Sequence, residues 1–109
     1  MTGKEYLSQI KKINTQMKNK SYELKELQRS GLPLGPLLEA ISKLDIEKRK
    51  IIRTIERLPE AEYDVLHMVY VQYLTLQEVA SERGISYSLA ATIHGRALKK
   101  VENIINDAD

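Results

Sequence analysis

The chain has 109 residues, 42% of them hydrophobic and 29% charged, with no cysteine, two histidines and a formal charge of +2. That length holds one ordinary domain or two small units. The lack of cysteine removes any disulfide framework or thiolate chemistry and suits a reducing cytoplasm. Neither His67 nor His94 has a ligand set around it, so no metal site and no cofactor are expected. Paired carboxylates, a nucleophile with its base, and a phosphate loop are all missing from the pattern, which argues against an enzyme. The opening MTGKEYLSQIKK lacks the apolar stretch of a signal peptide. No apolar run approaches the ~18 residues a membrane span needs.

The small net charge hides an asymmetry. Residues 1–58 hold 13 Lys/Arg against 7 Asp/Glu, a balance of +6, whereas residues 59–109 hold 4 against 8, a balance of −4. The sequence therefore divides into a basic unit, 1–58, and an acidic unit, 59–109.

From about Lys4 to Arg29 the apolar positions Tyr6, Ile10, Ile13, Met17, Leu24 and Leu27 follow a 4-3 heptad seam with one miss, Lys20. SGLPLGP, residues 30–36, cannot continue a helix, and Pro36 suits the first turn of the next. A second helix is expected from about Leu37 to Leu58, seamed by Leu37, Ile41, Leu44, Ile51, Ile55 and Leu58 with one miss at Lys48. Two seamed helices on a short loop make an antiparallel, coiled-coil-like hairpin. Folding back brings Lys20 and Lys48 to one level. They either snorkel, with stems on the seam and ammonium groups in water, or set register.

A two-helix hairpin seldom stands alone. It packs on the C-terminal unit, or two copies pair into a four-helix bundle, and the wide stripe on the second helix favours pairing. A homodimer is the preferred expectation, through a seam of Ile10, Ile13, Met17, Leu24, Leu27, Ile41, Leu44, Ile51 and Ile55. The run EKRKIIRTIER carries Lys48, Arg49, Lys50, Arg53 and Arg57. It is either a solvated face bridged to Asp45, Glu47 and Glu56, or a stripe in which Lys48, Arg49, Lys50 and Arg53 contact phosphates or a protein partner.

Pro59 breaks the pattern, and Glu60 and Glu62 favour the positive end of a third helix, about 60–73. That helix is apolar nearly all round (Val65, Leu66, Met68, Val69, Tyr70, Val71, Tyr73), the mark of a central element. Thr75 and Glu78 then form a capping box. Gly84 ends the short helix in the left-handed conformation, and Ser86 caps another. Ala90, Ile93, Ala97, Val101 and Ile104 line one face of that last helix, and small Ala80 and Ala90 let the two helices cross closely. The product is a helix-turn-helix, whose second helix lies in the DNA major groove. The tail NDAD, from Asn106, is expected to fray.

TLQEVA, then GIS, then RALKKV resembles region 4 of bacterial sigma factors, the part that reads the promoter −35 element, and LPEAEYDVLHMVY looks like the helix before it. This likeness covers about residues 58–104. IHGRAL and the long N-terminal hairpin are closer still to small phage sigma-region-4-like proteins related to the ArpU and RinA-type regulators of late transcription. Two departures stand out. The family usually has glycine where this chain has Tyr73, and often has arginines along the outer face of the second helix.

The fold class expected is all-α: an N-terminal helical hairpin followed by a three-helix, region-4-like helix-turn-helix. The resemblance implies a DNA-binding transcription regulator of phage or mobile-element origin that also touches RNA polymerase. The chain has no region-2-like segment, so it is not expected to be a complete sigma factor. Double-stranded DNA would meet Ser86, Tyr87, Ser88, Ala91, Thr92 and Gly95, with Arg96 and Lys99 flanking the groove. The other reading is a protein–protein adaptor with a degenerate helix-turn-helix, bound to its partner through the hairpin or the apolar third helix. The acidic balance of the C-terminal half favours that alternative, because Lys and Arg supply most non-specific DNA affinity.

Overall fold

Thr2 opens the first helix with a capping box: its hydroxyl accepts from the Glu5 amide at 3.1 Å, and the Glu5 carboxylate accepts from the Thr2 amide at 3.1 Å. Helix α1 then runs Gly3–Ser30 and closes at Gly31, whose φ of 67° lets the Leu32 amide reach back to the Leu27 carbonyl at 3.1 Å. Helix α2, Gly35–Glu56, starts and ends two residues before the expected limits, with Pro36 in its first turn. Three more helical segments follow, completing a computed structural model that describes residues 1–107. Among those residues there are five α-helices and no strand, and no helix is long and apolar enough to cross a membrane. Part of the expected fraying tail, Ala108 and Asp109, lies outside the described residues; α5 itself holds to Asn106.

The architecture is an antiparallel hairpin, α1 and α2, whose open end is built into the helix-turn-helix. Leu7, Ile10 and Ile13 of α1, with Ile51 and Ile55 of α2 and Leu58 beyond it, join Leu66, Ala97 and Val101 in one core. Tyr6 and Thr54 add a hydroxyl–hydroxyl bond of 3.1 Å across the open end. The other end projects. From Met17 through Leu44 the seam residues are only half-buried, because no third helix covers them. The molecule is accordingly elongated, 54 × 36 × 19 Å.

The expected third helix, 60–73, needs correction. An α-helix, α3, covers only Glu60–Leu66 and then widens into a π-helical turn, His67–Val71, closed by the Gln72 amide on the His67 carbonyl at 3.0 Å. The segment is central as expected, since Val65 and Leu66 are buried and Tyr63, Tyr70 and Val71 pack on the shared core. Its exit depends on Tyr73, which has φ 61°. This is the left-handed conformation that glycine adopts freely and other residues adopt at a cost. The Asn14 amide donates to the Tyr73 hydroxyl, and the Lys11 ammonium lies 5.8 Å from the ring centre. Contacts to α1 thus hold a tyrosine in a glycine conformation.

Helix α4, Leu76–Arg83, and helix α5, Tyr87–Asn106, form the helix-turn-helix. Thr75 and Glu78 make the anticipated capping box, at 3.0 and 3.1 Å. Gly84 has φ 65°, and Ser86 accepts from the Leu89 amide at 3.0 Å. Ala90, Ala97 and Val101 are buried on the inner face of α5, while Ile93 and Ile104 are half-buried.

Candidate nucleic-acid interface

Capping by Ser86 sets where α5 begins, and the buried face at Ala90, Ala97 and Val101 sets which way it is rotated. The opposite face then carries Tyr87, Ser88, Thr92, Gly95, Arg96 and Lys99, all exposed, with Ala91 half-buried at its edge. Tyr87 is 59% exposed, so its ring is not a packed cap. The exposed Thr92 hydroxyl donates to the Ser88 carbonyl at 2.9 Å. Near Gly95 the surface is open, with nothing within 4 Å of where a Cβ would stand. These seven residues, with Ser86 at the start, therefore form one continuous strip with small residues along its middle.

Three pairings that residue spacing could not reveal tie the helix-turn-helix to α3 and the π turn. Glu62 at the start of α3 is buried and takes the Lys100 ammonium at 2.9 Å on Oε1; Oε2 has no hydrogen-bond partner among the described residues. Arg83 at the end of α4 bridges to Asp64 of α3 at 3.0 Å. Tyr70 of the π turn stacks on His94 of α5 with ring centres 5.7 Å apart, and its hydroxyl lies 3.0 Å from His94 Nε2. Burial holds the His94 imidazole below its ordinary range, and the nearby Lys4 charge pushes the same way. A neutral His94 ring can then accept from Tyr70, whose own hydroxyl burial pushes up.

These pairings also use up charge. Lys100 is held by Glu62, and Lys99 is bonded to Glu102 at 3.1 Å. Of the three cations on α5, only Arg96 makes no ion pair among the described residues.

Arg49 pairs with Asp45 at 2.9 Å, Lys50 and Arg53 are exposed, and Lys48 is half-buried, as is Lys20. Ile10, Ile13, Ile51 and Ile55, expected in a seam between two copies, are buried inside the chain's own core. Met17, Leu24, Leu27, Ile41 and Leu44 are the seam residues still partly open.

Residues 54–103 match the family model for Sigma-70, region 4. The C-terminal half is a sigma-region-4-like helix-turn-helix, and the expectation from TLQEVA, GIS and RALKKV holds at that level. No match is found among curated proteins or among solved structures. The region-4-like match starts at Thr54, inside the last turn of α2, where Ile55 and Leu58 enter the shared core.

Proposed function

We propose that the protein is a DNA-binding transcription regulator of phage or mobile-element origin that places α5 in the major groove and touches RNA polymerase with the same region-4-like module. The exposed strip from Tyr87 to Lys99 on a capped, region-4-like second helix carries this reading. Ser86 and the first turn of α5 approach a phosphate, while Tyr87, Ser88, Ala91 and Thr92 face base edges. Tyr87 and Ala91 suit thymine methyls, and Ser88 and Thr92 donate or accept. Arg96 and Lys99 flank the groove, and Lys99 leaves Glu102 to do so. The phage origin rests on the likeness of IHGRAL and of the long hairpin to small phage regulators.

Dimerisation through the projecting half of the hairpin, residues 1–58, completes the proposal. Met17, Leu24, Leu27, Ile41 and Leu44 are half-covered there, and Tyr22, Leu38 and Ile46 are exposed beside them. Light scattering at tens of micromolar should give a dimer that Leu24→Asp and Ile41→Asp convert to a folded monomer. A monomeric wild type sinks this part.

A second reading is favoured by the ion pairs that occupy two of the three α5 cations: an adaptor that meets a protein partner through Lys48, Lys50 and Arg53 of the hairpin. A gel-shift with genomic fragments across a salt series separates the two, since a DNA binder must weaken steeply with salt. Thr92→Ala should leave the fold intact, lower affinity for the preferred site by ~1–3 kcal/mol and relax sequence choice. No binding even at ~50 mM salt, where attraction between charges is strong, would leave the adaptor.

A further inference from the structure

The DNA-binding strip has a neighbour that its own helix does not supply. The first turn of α1 packs against the flank of α5, with the backbone of Gly3 so near the Leu98 carbonyl that a Cβ at position 3 would come within 2.3 Å of that oxygen. A shallow cleft of about 220 Å³ runs along this contact, lined by Thr2 and Lys4 from α1 and by Gly95, Lys99 and Glu102 from α5. Gly95 and Lys99 belong to the proposed DNA strip. At this cleft the basic N-terminal half borders the outer flank of α5, and the cation it brings there is Lys4.

We infer that Lys4 is a DNA phosphate contact, carried to the edge of the recognition helix by the close approach of Gly3 to Leu98. The inference rests on the DNA-binding reading and deepens it. The acidic C-terminal half needs positive charge from elsewhere, and two of the three cations on α5 are bonded to Glu62 and Glu102. Lys4 is exposed and has no ion pair among the described residues. Glu102 is the acid in the cleft, and it is already engaged by Lys99. Beside burial, the Lys4 charge helps to hold the His94 imidazole low, which agrees with Lys4 lying near this part of α5. The basic stripe on α2 lacks such a link: Arg49 is paired with Asp45, and the α2 residues that share a core with α5 are apolar Ile51 and Ile55.

The test is a salt titration of the full chain on its preferred fragment and on unrelated duplex, comparing Lys4→Gln with Lys18→Gln, an exposed lysine on the projecting part of α1. Lys4→Gln should weaken binding to both DNAs alike and reduce the slope of log K against log salt by about 0.9, the contribution of one phosphate. Lys4→Arg should restore the slope, and Lys18→Gln should leave it unchanged. Both glutamine variants should melt with the wild type. Wild-type binding with an unaltered slope in Lys4→Gln, or tighter binding by that variant, overturns the inference while leaving the DNA-binding reading intact. Failure of the wild type to bind any duplex overturns both.

Discussion

Gly3 and Leu98, 95 residues apart in the chain, meet backbone to backbone: a methyl group on Gly3 would lie 2.3 Å from the Leu98 carbonyl oxygen. The obstacle is main chain and not the end of a flexible side chain, so it cannot swing away. This approach seats the hairpin on the flank of α5.

Gly3→Ala should therefore destabilise the whole protein by ~1–3 kcal/mol, as forced overpacking does. Thermal melting checks it, with Gly95→Ala as the control. Gly95 lies inside α5 with open space around it, so alanine there should raise stability by ~0.5–1 kcal/mol. A Gly3→Ala variant that melts with the wild type would mean the two helices are further apart.

Tyr73 allows the backbone to be separated from the side chain. Tyr73→Ala loses the ring and keeps the penalty of a left-handed φ, whereas Tyr73→Gly loses the ring and the penalty together. The glycine variant should be about 1 kcal/mol more stable than the alanine variant, by denaturant unfolding. At Gly84 the same conformation predicts a loss of more than ~1 kcal/mol on Gly84→Val, although the space there is open. Equal stabilities in either comparison would remove the left-handed geometry from that turn.

Glu62 and Lys100 couple the start of α3 to α5. Lys100→Ala leaves a buried carboxylate without its cation and should cost more than ~1 kcal/mol. Replacing both residues with apolar ones, Glu62→Leu with Lys100→Met, should recover most of that loss, because the desolvated charge goes too. A double variant as unstable as the single one would show that the ion pair is worth more than its burial costs.

The depressed His94 makes stability depend on pH in a defined direction. As pH falls through the ordinary histidine range, near 6.5, the unfolded chain takes up a proton that the folded protein refuses, so stability declines until the lower folded value is reached. Above that range the contribution is complete. Glu5 and Glu78, whose carboxylates accept hydrogen bonds in the two capping boxes and are held low by them, add a further decline below about 4.5. Urea midpoints measured from pH 7.5 to 5 should fall in the wild type and stay flatter in His94→Gln. Parallel curves would place the loss elsewhere.

The sequence by itself determined what is local. Capping boxes, the left-handed Gly84, the Ser86 cap and the 4-3 seams join residues three or four apart, so α1, α2, α4 and α5 and the buried face of α5 are legible in the sequence. The capping box at Thr2 and Glu5 is equally local, its residues three apart. Tertiary structure decided what spacing cannot encode. It chose which seam residues close inside the chain: Ile10, Ile13, Ile51 and Ile55 are taken by the core shared with Leu66, Ala97 and Val101. It also bent the third helix. A continuous apolar run reads as one α-helix, but Asn14 and Lys11 engage Tyr73 from another element, and the π turn leads into that glycine-like bend. The pairs Tyr70–His94, Glu62–Lys100 and Gly3–Leu98 lie 24, 38 and 95 residues apart. At such separations the side-chain pattern carries no phase, because only the packing of whole helices brings those positions together.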